Sequence, residues 1–442
     1  MTATTEGSTR RYVSTREAAF IGVGAMVGAG IFSLLGTAAE VAGAAVWLSF
    51  ALAGGIAALQ GYSFGKLGAR FPTAGGLLEY VNQSFGEGRV ATVTAWLTYS
   101  ANAIVTAMVA VSFGSYASSA VAGDDPGAAK VFAVALVVAM TVLNIAGSNL
   151  VAKVQSLIVF VVVGILGLFG IVTTAGMDTS RLAVETYPGA QDIVSSVALT
   201  FFAFLGFGVV TFTAKDLREP SRQLPRAIAI AIGLATAVYV LVSLGVFGTL
   251  SVEEVIAAGP TAIAVAAEPV LGTAGYWLML VTALFATAGA TNAGLYPAAG
   301  LSDHLARTGQ FPTVMGARLG GRAPVGLVAA AVVVMAMVVA FDLSAIASIG
   351  STVALMIFAL VTAGHLRIRS QTGASLPILG LALATTSVTL VTFVFTTLIQ
   401  EPASIATLVL IVAVSIGLDE GWRRRRGRQP DAPDAPETSG RG

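Results

Sequence analysis

The residues best placed to do chemistry here are glycines. Gly22, Gly24, Gly28 and Gly30 crowd the run GVGAMVGAGIF at positions 22–32, inside an apolar stretch at 18–35. About 20 apolar residues cross the roughly 30 Å hydrocarbon core of a bilayer, and each glycine costs a helix up to about 1 kcal/mol relative to alanine. Backbone groups released from helical bonding inside a membrane must find protein, water or a solute. The stretch is therefore a close helix contact of the small-residue kind or a place where bare N–H and C=O groups meet a solute.

The elements that would position this stretch are membrane spans. The chain has 442 residues, 56% of them hydrophobic and only 11% charged, with a mean hydropathy of +0.85. Soluble domains carry about 25% charged residues, so an all-α, multi-pass membrane protein is expected. Apolar runs predict about twelve spans, near 16–42, 44–67, 90–122, 129–146, 150–174, 191–213, 227–250, 272–299, 325–341, 343–365, 376–398 and 403–418. A polar interval covers 68–88, and an external amphipathic segment covers 251–270. The first apolar run follows a polar start without a cleavage pattern, so it is expected to stay as a span.

Basic residues set the orientation. Arg10, Arg11, Arg16, Lys66, Arg70, Arg89, Lys153, Lys215, Arg218, Arg222 and Arg226 fall on one side of such a topology, and only Lys130 and Arg181 fall opposite. The positive-inside rule then puts both termini in the cytoplasm of a cell (plasma) membrane protein. The run Arg423–Arg426 follows the last span, where a juxtamembrane anchor on anionic lipid is the expected use, rather than a nucleic-acid patch.

Composition also excludes classes. Without cysteine there is no thiol catalysis and no disulfide framework, and two histidines, His304 and His365, leave too few ligands for a structural zinc site. Glu40, Glu79 and Asp303 lie near predicted span ends, and the histidines lie beside cytoplasmic basic loops. No acid–base or nucleophile set gathers at mid-membrane depth, so catalytic residues and a resident metal are not expected.

A second broken span carries the argument further. The sixth reads TFFAFLGFGVVTFTAKD from Thr200, with Gly206 and Gly208 expected to interrupt it midway. It enters from the side opposite to the first. Two breaks five spans apart and opposite in direction are what a five-plus-five inverted repeat produces, with substrate held at the midplane by half-helix ends.

At these residues the chain resembles the amino acid–polyamine–organocation (APC) transporters. The resemblance rests on the first-span glycine motif at 22–32, on Phe204-Leu205-Gly206, and on the exit carried by Asp216, Pro220, Pro225, Arg226 and Ile228. The segments FPTAGG at 71–76 and LSDHLARTGQFP at 301–312 look like two of the family's cytoplasmic loops. It covers about residues 14–366.

The resemblance implies a secondary transporter of amino acids or related small amines working by alternating access. It implies a cytoplasmic segment 1–15, a ten-helix core at 16–366 and two accessory transmembrane helices at 367–421, while the Arg- and Pro-rich composition of 422–442 reads as a disordered basic tail. It also implies a substrate site made mostly of backbone. Gly28, Ala29 and Gly30 would offer amides to a carboxylate, and the carbonyls of Met26, Phe202 and Leu205 would accept from an ammonium group. Phe202 would pack over the substrate, and Asn102, Ser348 and Ser351 are further pocket candidates.

Departures from the family bear on coupling. Ala29 stands where some members have serine, Gly208 where some exchangers have glutamate, and Val161 and Val162 where proton-coupled members have lysine. The segment ATAGATN at 286–292 is similar to the sodium-site stretch of sodium-coupled members, which implies Gly24, Val27, Ala288, Thr291 and Asn292 as ion ligands. Sodium is thus expected before a proton as coupling ion, no other cofactor is expected, and the alternatives are exchange or facilitated passage without an ion, or a non-transporting channel or receptor of the same fold. No acid is placed in the predicted span interiors, so neutral substrates are expected ahead of cationic ones.

Overall fold

A computed structural model describes residues 12–28, 30–73, 76–86, 88–146, 149–307, 311–400 and 402–426. Ala29, parts of both cytoplasmic-loop motifs (74–75 and 308–310) and the terminal segments 1–11 and 427–442 lie outside the described residues. The fold is helical, apart from a two-residue hairpin pairing β1 (Arg318–Leu319) with β2 (Ala323–Pro324). Among the described residues nine helices are long and apolar enough to cross a membrane, and two shorter apolar helices accompany them.

In order, α1 is Thr15–Val27, α2 Ile31–Ala42, α3 Val46–Arg70, α4 Leu77–Phe85, α5 Arg89–Val121, α6 Pro126–Ala146 and α7 Asn149–Ala175. Then come α8 Ala190–Phe202, α9 Pro220–Phe247, α10 Val252–Ala258, α11 Ala262–Arg307, α12 Val325–Ala340, α13 Leu343–Thr372, α14 Leu376–Thr396 and α15 Pro402–Arg426. The predicted first span is α1 plus α2, with the interruption at Gly28–Gly30.

Local chemistry explains the ends. Ser14 and Glu17 form a capping box on α1: Ser14 Oγ accepts from the Glu17 amide at 3.2 Å, and a Glu17 carboxylate oxygen accepts from the Ser14 amide at 2.8 Å. Ser251 and Glu254 repeat the device on α10. Asp342 caps α13, which closes at Gly373 with φ +63°.

Three expectations are corrected. The interval 68–88 is not all loop: α4 buries Leu78, Tyr80, Val81 and Ser84 on one side, a helical periodicity within a polar segment. It is entered through Gly76 at φ +52°, where a β-carbon would also lie 2.7 Å from the Phe212 ring. The sixth span breaks earlier than its glycines suggest. Helix α8 ends at Phe202, and Leu205–Asp216 continues as a 3-10 helix. The turn tightens there, because the Ala203 amide donates to Thr200 O at 3.1 Å and the Phe204 amide to Phe201 O at 2.9 Å. At the other end of the chain, α15 continues to Arg426, past the point at 422 where the tail was expected to begin.

Long-range polar contacts gather the predicted cytoplasmic ends. The Val13 amide donates to Asp216 O at 2.9 Å, and Arg89 pairs with Glu420 at 3.0 Å. At the opposite ends, Trp47 Nε1 donates to the Tyr187 hydroxyl at 2.9 Å and the Asp178 amide donates to Gly248 O at 2.9 Å. Helices α3 and α9 pack through small residues: a β-carbon on Gly54 would meet Thr236, and one on Gly61 would meet Ile232 and Ile228.

Candidate functional site

The two breaks face each other. A β-carbon on Gly206 would lie 2.5 Å from Ala25 C and 2.7 Å from Met26 N, so the 3-10 half of the sixth span rests directly on the backbone of α1. Helix α2 packs in turn against α8. Each half of the first span thus lies beside one half of the sixth.

At the first break the Gly30 amide donates to Met26 O at 2.8 Å, and the Gly28 amide donates to Gly24 O at 3.4 Å. Both amides therefore serve the cap of α1, and the Met26 carbonyl is engaged as well. The N–H groups of Ile31 and Phe32, at the start of α2, have no backbone partner among the described residues. Neither do the carbonyls of Val27 and Phe202. Donors at a helix start and carbonyls from the two breaks are the groups that hold a carboxylate and an ammonium.

One residue joins the breaks, and the sequence reading passed over it. Tyr239 of α9 is fully buried, and its hydroxyl donates to Ala203 O at 3.2 Å. The same oxygen lies 2.5 Å from where a Gly30 β-carbon would stand. Its ring packs against Phe50 and Phe204, with centroids 5.1 Å away in each case. A lone tyrosine in an apolar span was the available signal, since a buried phenol needs a partner.

The other expected residues take definite places. Phe202 is buried, with its ring tip against Gly350 of α13 and near Ile104. Leu205 is half-buried and opens the 3-10 segment. Asn102 is half-buried and donates through Nδ2 to Gly294 O at 2.5 Å, which links α5 to α11. Ser348 and Ser351 are buried on α13, and the Ser351 hydroxyl is without a hydrogen-bond partner among the described residues.

A small void adjoins the first break. It holds about 10 Å³, room for about one water, and is lined by Gly24, Val27 and Gly28, by Val162 of α7, and by Ala286 and Ala290 of α11. A β-carbon on Gly28 would sit 2.9 Å from Ala286 O. Of the expected ion ligands, Gly24 and Val27 border this void, while Ala288, Thr291 and Asn292 are not among its lining residues. The Thr291 hydroxyl donates to Thr287 O of its own helix at 2.9 Å. Asn292 Oδ1 accepts from Asn144 Nδ2 at 2.8 Å, tying α11 to α6.

Comparison with known proteins shows the family. The family model described as "Amino acid permease" matches residues 13–418. Inner membrane transport protein YbaT of Escherichia coli is 32% identical over 361 residues, 81% of this chain and 84% of that protein. The vacuolar cationic amino acid transporter 2 of Arabidopsis thaliana is 30% identical, over 66% of this chain and 49% of its own length. A methylthioribose transporter of Bacillus subtilis is 28% identical, over 58% of this chain and 59% of its own. The chain belongs to the amino acid permease family of the APC superfamily, and is a multi-pass membrane transporter rather than an enzyme.

Proposed function

We propose that the protein moves neutral amino acids or closely related small amines across the cell membrane by alternating access. The reading places both termini in the cytoplasm and takes the helices as about twelve spans. Ten form a five-plus-five inverted repeat, and α14 and α15 are additional. The observation that carries it is the pair of facing breaks, where, among the described residues, the N–H groups of Ile31 and Phe32 and the carbonyls of Val27 and Phe202 have no backbone partner.

Preference for neutral substrates is supported by the interior. Among the described residues no Asp, Glu, Lys or Arg is buried. A buried guanidinium or ammonium side chain without a partner costs several kcal/mol. The relatives' names span cationic amino acids and methylthioribose, so substrate class has to come from this chain's own interior. Competition for uptake into proteoliposomes should rank neutral amino acids above arginine, lysine and polyamines. Arginine or a polyamine ranking first would overturn the preference.

Sodium is the coupling ion this reading favours over a proton. Valines at 161 and 162 and glycine at 208 offer no titratable group, and the carbonyls of Gly24 and Val27 adjoin the one-water void. Exchange without an ion is a second reading, favoured by the bonds that already engage Thr291 and Asn292. Accumulation should be driven by a sodium gradient and fall in Thr291→Val. Undiminished accumulation driven by a pH gradient without sodium would rule sodium out. Exchange against internal amino acid that needs neither gradient would select the second reading.

A further inference from the structure

A separate cavity of about 540 Å³ opens at the end of the molecule opposite the Val13–Asp216 contact. It lies between the end of α2, the connection 178–189, the end of α9 and the start of α10, and no residue of either break lines it. Its volume falls in the range of small-molecule sites, about 300–1,000 Å³. Its floor is apolar, with Phe247, Leu250 and Ala39 all buried, while its rim carries exposed Glu40, Arg181 and Glu253.

The walls are held in place by named bonds. The Asp178 amide donates to Gly248 O at 2.9 Å, fixing the connection to the end of α9. The Tyr187 hydroxyl accepts from Trp47 Nε1 at 2.9 Å and donates to Leu182 O at 3.0 Å. The capping box of Ser251 and Glu254 fixes the first turn of α10. Hydrogen bonds from the Ser180 hydroxyl and amide hold the Asp178 carboxyl below its ordinary pKa.

We propose that this cavity is a second binding site, taking a zwitterionic amino acid with an apolar side chain. The ligand's ammonium group meets Glu40 and Glu253, its carboxylate meets Arg181, and its side chain lies on Phe247 and Leu250. Arg181 has a loose contact to Asp178, 3.8 Å from Nε to Oδ2, and a guanidinium carries five N–H donors. A bare amine would face the Arg181 charge, and a simple anion would face two carboxylates. A ligand with both charges is complementary in sign to all three groups. The choice of ligand rests on the neutral-substrate reading above, while the site itself uses none of the residues at the breaks.

Binding of radiolabelled L-leucine to the full chain in nanodiscs tests it, with Gly30→Leu closing the central site and Arg181→Gln, an exposed change, disabling the outer one. Leucine binding that survives in Gly30→Leu and falls at least tenfold when Arg181→Gln or Glu40→Gln is added supports the outer site. L-leucinamide, which lacks the carboxylate, should not compete there. Binding abolished by Gly30→Leu and unchanged in Arg181→Gln would overturn the outer site and leave the neutral-substrate reading standing. No leucine binding to any form would likewise overturn the outer site, while the neutral-substrate reading is decided separately by the competition for uptake.

Discussion

Replacing Gly30 by leucine should abolish substrate binding by the folded protein. A β-carbon there would stand 2.5 Å from the Tyr239 hydroxyl and 2.6 Å from Ala203 Cβ, both well inside van der Waals contact. The branched remainder of the side chain would fill the space between the breaks. A clash of this kind also strains the fold, so the milder Gly30→Ala is the informative companion. Its methyl group must displace the Tyr239 hydroxyl from Ala203 O, and about a tenfold loss of affinity, some 1.4 kcal/mol, is expected. Adding Tyr239→Phe removes the 2.5 Å contact and should recover part of that loss, a coupling that only neighbours show. Binding would be measured on monodisperse purified protein, by ligand-induced thermal shift or scintillation proximity. Wild-type affinity in Gly30→Leu would remove the break from the binding site.

Gly206→Ala should destabilise the protein strongly, while Gly208→Ala should be nearly silent. The sequence presents the two glycines alike, in the run FLGFG. At Gly206 an added methyl meets main-chain atoms of α1, 2.5 Å from Ala25 C and 2.7 Å from both Ala25 O and Met26 N. Main-chain atoms cannot rotate away, so the two half-spans must part. Overpacking of this kind costs about 1–3 kcal/mol or more. At Gly208 nothing lies within 4 Å of the added carbon. Melting temperatures in one detergent should fall by several degrees for Gly206→Ala only. Equal melting temperatures for the two variants would contradict the direct contact between the breaks.

The contrast between these glycines shows where sequence information ends. Span length and apolarity are properties of consecutive residues, so the predicted first span at 16–42 matches α1 plus α2 and the eleventh matches α14, while the seventh and tenth fall on α9 and α13 with one end of each about two turns short of the helix. The first break was legible because four glycines crowd one apolar run, each at a cost to a helix; Gly28 and Gly30 fall at the break, whereas Gly22 and Gly24 lie within α1 and pack closely on neighbours. The second was legible as a break but misplaced. Its position is set by the tightened turn at Ala203 and Phe204, and its freed carbonyl at Ala203 is satisfied by a tyrosine 36 positions away. Helix α4 was readable in principle, but its short apolar stripe is masked by a polar composition.

The sequence by itself determined that this is a helical, multi-pass membrane transporter of the APC type, and it marked the glycine-rich stretch at 22–32 as an interruption of the first apolar run. Only the tertiary structure decided which atoms are open there. Among the described residues, the amides of Ile31 and Phe32 lack backbone partners, whereas those of Gly28 and Gly30 close the cap of α1. Tertiary structure also engaged Asn292 with Asn144 across 148 positions, and enclosed the outer cavity from four segments that no periodicity links. The physical reason is common to all three. Hydropathy and helical period act over a few turns of one segment, whereas hydrogen-bond partners and voids depend on how distant segments approach, and small residues such as Gly30 and Gly206 set that approach through what they lack.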